Sequence, residues 1–319
     1  MSGTTTDIPV KAPTQTRPKE WDGKTRTGIG ILIFYWTFKL LGPRFAYALL
    51  YPVCFYYVLV NWKNGRASRD YLRRRYPGLS GLRLWWKNYR HFLSFGRVLV
   101  DRGYAFLGML GKVKFERDGA EVLRKAINDG KGLILISAHL GNWELAGYGL
   151  GEFGDVKVNA VMFKGESEKV EKQLRKASGE PPFRIIASND SLQASIECKD
   201  ALQRGEIVAI HGDRLMGSGG VKVPFLGAEA KFPIGPYVLA ASTGAPVVFT
   251  FANRLGTRHY ALRARGPYYF AFKDRKQRDA DLKSWVKMYA AELEELLEKY
   301  PLQWHNFYPF WDTEEGTGW

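Results

Sequence analysis

From about residue 113 onward, short apolar runs of strand length alternate with longer runs of helical periodicity. This alternation favours a largely parallel sheet covered on both faces, because each connecting helix packs back onto the sheet. The predicted strands are 132–137, 156–163, 183–187, 207–211, 246–252 and 259–264, and the predicted helices are 120–129, 166–177, 191–204, 234–242 and 282–300. The sequence therefore predicts an α/β fold with a central, mostly parallel sheet. Functional groups in such folds gather beyond the carboxyl ends of the strands.

A histidine and a glutamate follow closely after the first of these strands. The apolar run that ends at Ser137 leads into a loop and then into a helix that Asn142 is expected to cap. A bend at Gly141 lets His139 approach Glu144, which a regular helix would not allow. An imidazole can take a proton from a hydroxyl, and a neighbouring carboxylate fixes its tautomer. The pattern predicts an acid–base dyad, and the alternative is a loop histidine with a structural role only.

This stretch also carries a family resemblance. The residues His139-Leu140-Gly141-Asn142-Trp143-Glu144 resemble the His-x4-Asp/Glu signature of the glycerolipid acyltransferase superfamily, in the H-x-G-N-W-E form of the bacterial lipid A late acyltransferases. Four further landmarks stand in the family's order, at 212–214, 220–227, 240–248 and 301–304. The resemblance covers roughly residues 28–311. The tail 305–311 departs from the family's usual ending, which leaves the acceptor open.

The resemblance implies transfer of a fatty acyl chain from a thioester to a hydroxyl of a lipid A-like saccharolipid or another lipid acceptor. His139 would be the base and Glu144 would orient it. The resemblance implies acyl carrier protein as the donor, with coenzyme A as an alternative, and no cofactor beyond this acyl-donor substrate. It places the enzyme on the cytoplasmic face of the bacterial inner membrane.

A second candidate element follows the strand predicted at 207–211. Asp213 and Arg214 leave this strand at the edge where His139 leaves its own, so they could face the same crevice. A guanidinium presents a rigid fork of donors that suits a phosphate or a developing oxyanion, and Asp213 could hold that fork in place. The alternative is a structural ion pair that closes the strand.

Three further residues complete the predicted substrate-binding and oxyanion set. Gly141 and Asn142 lie beside His139 in the loop, and Gly235 lies where the superfamily carries an element that helps to bind the acceptor's phosphate. The glycine-rich segment 217–220 lacks the Gly-Lys-Ser/Thr ending of a nucleotide-binding loop, which excludes an NTPase of that type.

The charge of the chain is strongly positive. Forty-seven Lys and Arg against 32 Asp and Glu give a net charge of +15, which predicts attraction to anionic partners. No nucleic-acid-binding motif is recognisable, so nucleic acid is not predicted as a partner. The aromatic content of 14% suits a membrane phospholipid surface, and the basic surface suits an acidic acyl carrier protein. Ordinary solvated surface charge is the alternative.

The cysteines and histidines predict neither a disulfide framework nor a metal centre. The two cysteines, Cys54 and Cys198, are interpreted as buried or inert thiols. The five histidines show no metal-ligand spacing with the cysteines or with each other.

The first part of the chain differs in character from the rest. Residues 1–24 are polar and predicted to be a disordered leader, 25–112 a membrane-associated helical region, and 113–319 the catalytic domain. The uncharged segment 45–62 meets the lower length limit for crossing a bilayer, yet it contains Pro52 and several tyrosines. Basic residues on both sides favour interfacial insertion at least as well as a span. A buried core hairpin is the alternative.

Two other functions stay open from the sequence. A lipid hydrolase could use the same dyad to activate water, although the Gly-x-Ser-x-Gly elbow is absent from the sequence. A non-catalytic lipid-binding protein could use the same fold, but it would have no need for His139, Glu144 and Arg214 together.

Overall fold

The computed structural model describes residues 34, 36–60, 62–106, 109–154, 156–162, 183–215 and 219–311. Within these residues the predicted α/β fold is confirmed. The predicted leader 1–24, the predicted helix 166–177 and Gly217 and Ser218 of the glycine-rich segment lie outside them.

A seven-stranded sheet forms the centre of the fold. Its strands, with a separate two-stranded hairpin, are β1 (Lys114–Asp118), β2 (Leu133–Ser137), β3 (Val158–Met162), β4 (Arg184–Ala187), β5 (Ile207–His211), β6 (Gly220–Phe225), β7 (Ala228–Pro233), β8 (Val247–Gly256) and β9 (His259–Tyr268). The order in the large sheet is β1-β9-β8-β2-β5-β3-β4. The β8/β9 pair is antiparallel, and the other five pairings of this sheet are parallel.

Helices cover both faces of this sheet. The α-helices are α1 (Pro43–Val60), α2 (Trp62–Arg75), α3 (Gly81–Phe106), α4 (Ala120–Asn128), α5 (Trp143–Gly149), α6 (Ser191–Gln203), α7 (Gly235–Thr243) and α8 (Arg278–Lys299). Successive residues of a strand point to opposite faces. Accordingly Ile134 and Ile136 of β2 join a core with α6, α7 and α8, whereas Leu133 and Leu135 join another with α4.

The first three helices pack together at one end of this body. Buried residues of α1, among them Leu50 and Cys54, share a core with Phe92 and Leu93 of α3 and with Tyr260 of β9. The opposite side of α1 leaves large apolar side chains in solvent, including Tyr56 at 64% and Leu59 at 57% exposure. By length and composition α1 is the one helix of the described residues that could cross a membrane, with a mean hydropathy of 1.3.

Three strands of the structure were not predicted. β1 has the sequence KFERD and is mostly exposed at the sheet edge, so it carries no apolar signal. β6 and β7 form a hairpin whose turn places Leu226 and Gly227 at positive φ, a two-residue connection typical of tight hairpins. Residues 220–227 of this hairpin carry one of the family landmarks, but no strand is predicted there from the sequence.

Candidate active site

The sheet register brings His139 and Asp213 together. β2 and β5 are adjacent and parallel, and their last residues, Ser137 and His211, are paired across the sheet. Each strand is followed two residues later by one member of the pair, so His139 and Asp213 leave the same sheet edge at the same level. His139 Nδ1 lies 2.8 Å from an Asp213 carboxylate oxygen.

Asp213 is fully buried and is held from several directions. Its second carboxylate oxygen accepts hydrogen bonds from the His139 backbone N–H and from Trp304 Nε1, both at 2.8 Å. Burial opposes ionisation, but His139 and the Trp304 donor hold the pKa of Asp213 well below its ordinary value. Because an ionised carboxylate only accepts, Nδ1 of His139 carries the proton. Nε2 is then the ring nitrogen that can accept another.

A second imidazole lies against the first. The His211 ring centre is 4.2 Å from that of His139, and His211 Nδ1 lies 2.9 Å from the Ser137 hydroxyl. Burial, with the neighbouring His139 and Arg214, keeps the pKa of His211 well below its ordinary value. His211 is therefore neutral at pH 7 and adds no competing charge beside His139.

Glu144 does not occupy the position expected from the motif. Its carboxylate forms an ion pair with Arg102 of α3 and is largely buried, in the first turn of α5. The Glu144 carboxylate is paired with α3, and Asp213 occupies the position beside His139 Nδ1. In the structure the carboxylate hydrogen-bonded to His139 is that of Asp213, whereas the expected contact of Glu144 with His139 is not formed.

Gly141 and Asn142 stabilise the conformation of the loop that follows β2. Gly141 has φ 65°, and a Cβ there would overlap the carbonyl of Ala252, so only glycine fits. Its N–H donates to Gln303 O at 2.8 Å. The buried Asn142 side chain caps α5 by accepting from Leu145 N. The polar groups of both residues thus already have partners in the protein, and their expected oxyanion role stays a prediction.

Arg214 lies near the His139–Asp213 pair, whereas Gly235 does not touch it. The Arg214 guanidinium lies 5.0 Å from the centre of the Tyr308 ring, and its charge acts on His211. Gly235 begins α7, directly after the β6–β7 hairpin. Within the described residues, nothing connects Gly235 to His139.

The C-terminal segment 303–308 completes the site, which the sequence did not predict. His305 N donates to His139 O at 2.7 Å, and Tyr308 OH donates to Asp213 O at 3.1 Å. Together with the Trp304 bond these contacts fasten the segment to both members of the pair. The landmark at 301–304 was the available signal, but a landmark does not reveal its partners.

The same cluster contains three potential metal ligands. Ligand atoms of His139, His211 and Asp213 all lie within 4.8 Å of one another. The Asp213 oxygens already accept three hydrogen bonds and His139 Nδ1 is engaged with one of them. These bonds account for the arrangement as a hydrogen-bonded histidine–aspartate pair.

An apolar cavity opens beside this pair. Ala138 and Leu140, on either side of His139, form part of its wall, and Leu123, Ala160 and Phe183 lie in the core further along it. Its volume is about 100 Å³, below the roughly 300–1,000 Å³ that is typical of ligand pockets. A long apolar group could enter only if these side chains move apart.

Comparison with known proteins identifies the family to which the chain belongs. The profile of the family described as bacterial lipid A biosynthesis acyltransferase matches residues 91–313. The chain belongs to this family. The matched region contains His139, Asp213 and Trp304, and so the whole hydrogen-bonded pair lies within it.

Two relatives extend the comparison. A phosphatidylinositol mannoside acyltransferase of Mycobacterium tuberculosis (strain ATCC 25618 / H37Rv) is 25% identical over 205 residues, covering 60% of this chain and 58% of the relative. Its counterpart in Mycolicibacterium smegmatis (strain ATCC 700084 / mc(2)155) is 24% identical over 201 residues, covering 59% and 60%. The chain thus spans about three-fifths of the length of these curated relatives.

Proposed function

We propose that this member of the family is a membrane-associated O-acyltransferase that moves a fatty acyl chain from a thioester to a lipid hydroxyl. The observation that carries the proposal is the His139–Asp213 pair beside an apolar cavity whose wall includes Ala138 and Leu140. Family membership and the acyltransferase names of the relatives support it.

The chemistry needs a base and no covalent enzyme intermediate. Nε2 of His139 takes the proton of the acceptor hydroxyl as its oxygen attacks the thioester carbonyl. The tetrahedral intermediate collapses, the C–S bond breaks and the leaving thiolate takes the proton back from His139. An ester and a free thiol are the products, and the histidine returns to its starting state.

Asp213 and Arg214 stabilise the charges that develop. The Asp213 carboxylate holds His139 in the productive tautomer and stabilises the imidazolium. Arg214 is the nearby cation that we assign to the oxyanion, since the Gly141 N–H is already bonded. The acyl chain enters the apolar cavity as it widens.

We assign acyl carrier protein as donor, because its acidic surface complements a chain with a net charge of +15. Coenzyme A is the alternative donor. For the acceptor we propose a glycolipid hydroxyl, either on a lipid A-like saccharolipid or on another lipid. The printed names of the relatives, which refer to phosphatidylinositol mannoside, support the glycolipid class. The exposed apolar side of α1 supports attachment to a membrane, and we assign this membrane as the bacterial inner membrane, at its cytoplasmic face.

The test is mass spectrometry of total lipids from cells with and without this chain. His139→Ala is the catalytic variant and His259→Ala is its matched control, because His259 lies on β9 paired with Glu116. We expect one acylated lipid to disappear in the deletion and in His139→Ala and to persist in His259→Ala. Normal acylation by His139→Ala would refute the proposal.

A second readout separates transfer from hydrolysis. With purified protein and an acyl thioester, transfer produces acylated lipid only when the acceptor is present. Release of free fatty acid at the same rate with and without acceptor would instead identify a hydrolase.

A further inference from the structure

A second cavity, of about 300 Å³, lies between α3, β8 and the end of α8. Arg90, Arg97, Arg254 and Lys299 contribute to its wall, which contains no carboxylate among the described residues. The two α3 arginines are seven residues apart, which places them on one face of the helix. We call this space the basic cavity.

Two of these cations are already neutralised and two are not. Arg254 pairs with the buried Asp101 at 2.7 Å, and Lys299 pairs with Glu295 on the surface. Arg90 and Arg97 have no carboxylate within ion-pair distance in the described part of the chain. The basic cavity therefore holds uncompensated positive charge and suits an anion.

The basic cavity is distinct from the His139 site but is joined to it through the backbone. Gln303 lines the cavity, and its carbonyl accepts the Gly141 N–H on the other side. Ser94, also in the wall, lies 3.4 Å from His305, whose N–H donates to His139 O. The segment 303–305 thus separates the two sites.

Its surroundings identify the source of the anion. Arg97 donates to the Tyr51 hydroxyl at 3.3 Å, so the basic cavity borders α1. Tyr51 is half exposed and lies on the helix that presents apolar side chains to solvent. Arginine forks match the oxygens of phosphate, and anionic phospholipids attract basic groups beside an inserted segment. We propose that the basic cavity binds the phosphate of a membrane phospholipid headgroup while α1 lies in the interface.

The test measures binding of the full-length protein to vesicles of phosphatidylcholine with phosphatidylglycerol. Arg90→Gln/Arg97→Gln should weaken binding about thirtyfold, equivalent to about 2 kcal/mol. The control Lys199→Gln/Arg275→Gln removes the same charge from exposed positions outside the cavity and should bind almost as the wild type does. Equal losses in both double variants would mean a general surface field and would overturn the site.

A conservative pair and a soluble probe complete the design. Arg90→Lys/Arg97→Lys keeps the charge but removes the forks, so it should recover part of the binding, and equal melting temperatures would show that the variants fold. Inorganic phosphate should compete poorly with vesicles. If inorganic phosphate strongly stabilises the wild type, and the Arg→Gln changes leave vesicle affinity unchanged, the cavity binds a soluble phosphate group and the lipid assignment fails.

Binding is independent of the proposed chemistry. A His139→Ala protein should bind vesicles as the wild type does, so failure of acyl transfer and failure of the headgroup site are distinguishable. A loss of transfer in Arg90→Gln/Arg97→Gln with unchanged vesicle binding would also overturn the membrane-headgroup assignment.

Discussion

At the scale of single residues, the carboxylates of Asp213 and Glu144 have different partners. Asp213 is hydrogen-bonded to the imidazole, whereas Glu144 compensates Arg102 between α5 and α3. Sequence proximity favoured Glu144, because five positions separate it from His139 and 74 separate Asp213. In the fold, the pairing of β2 with β5 places Asp213 beside His139, whereas Glu144 is paired with Arg102.

We expect Asp213→Asn to lower the rate of acyl transfer by about 10²–10⁴, because an amide does not stabilise the imidazolium. Glu144→Gln should mainly lower the melting temperature, since it leaves the Arg102 charge buried. Steady-state kinetics across pH and thermal unfolding of both variants check this. A large loss of rate without loss of stability in Glu144→Gln alone would return the orienting role to Glu144.

Gly147 offers a test of where the acyl chain lies. It lines the apolar cavity, and a Cβ at this position would meet no atom within 4 Å. Gly147→Leu should fill the space and shift preference towards shorter acyl chains, by about fourfold in kcat/KM for each methylene displaced. The measurement is competition between thioesters of different length. Gly111→Leu is the control, at an exposed glycine outside the cavity with equal room for a side chain. An unchanged preference in Gly147→Leu would place the chain elsewhere.

At the scale of elements, one buried ion pair joins the N-terminal helices to the sheet. Asp101 of α3 is fully buried, and it accepts hydrogen bonds from Arg254 of β8, Tyr260 of β9 and Tyr47 of α1. Three elements therefore converge on one carboxylate. The apolar packing of α1 and α3 adds to this connection.

Asp101→Asn should destabilise the protein by about 3–5 kcal/mol, because the Arg254 charge would remain without its partner. The control is Asp70→Asn, which removes an exposed i,i+4 pair with Arg74 and should cost at most about 0.5 kcal/mol. Denaturant or thermal unfolding of both variants measures the difference. Equal losses of stability in the two variants would show that the Asp101–Arg254 pair does not hold the N-terminal helices to the sheet.

The buried His91, where α3 meets the C-terminal segment, should make the stability of the protein depend on pH. His91 contacts Ser68 Oγ and Trp304 O, and burial lowers its pKa to about 4. The unfolded chain, with a histidine pKa near 6.5, takes up the proton first as the pH falls. Stability should therefore decrease from about pH 6.5 towards pH 4, by up to about 1.4 kcal/mol per unit for this group.

Unfolding measured across this range checks the slope. His91→Gln should reduce it. An identical slope in the wild type and in His91→Gln would assign the acid sensitivity to other groups.

The sequence predicted the buried strands and failed where exposure or partners decided the outcome. β5 was predicted with its observed bounds, because the run 207–211 is apolar and ends in a polar segment. β1 was missed, since an edge strand with exposed side chains has no apolar pattern. The hydrogen bond between Trp304 and Asp213 was not predicted, because a single sequence carries no signal for a contact between side chains 91 residues apart.

At the scale of the whole molecule, apolar surface and positive charge lie next to each other. α1 exposes one side, and the basic cavity borders the same helix. Two contributions favour binding of such a surface to an anionic membrane: burial of apolar side chains and attraction between opposite charges. The net charge of +15 adds long-range attraction.

We expect Tyr56→Ser/Leu59→Ser to shift the protein from membranes to the soluble fraction, with vesicle affinity falling about tenfold or more because two apolar groups no longer enter the interface. Leu192→Ser/Ile196→Ser is the matched control, since both residues are exposed apolar side chains on α6. Vesicle sedimentation measures both. Equal partitioning of the α1 variant and the wild type would contradict interfacial attachment through this helix.

The fastening of segment 303–308 to the site has a consequence for the order of events during synthesis. The Asp213 carboxylate gains its Trp304 donor, and the His139 carbonyl its His305 donor, only when nearly all of the matched region has left the ribosome. A partly made chain can form β2 and β5 yet lacks the groups that hold their two terminal side chains in place. We therefore expect the proposed acyl transfer only from chains that have been synthesised beyond residue 308.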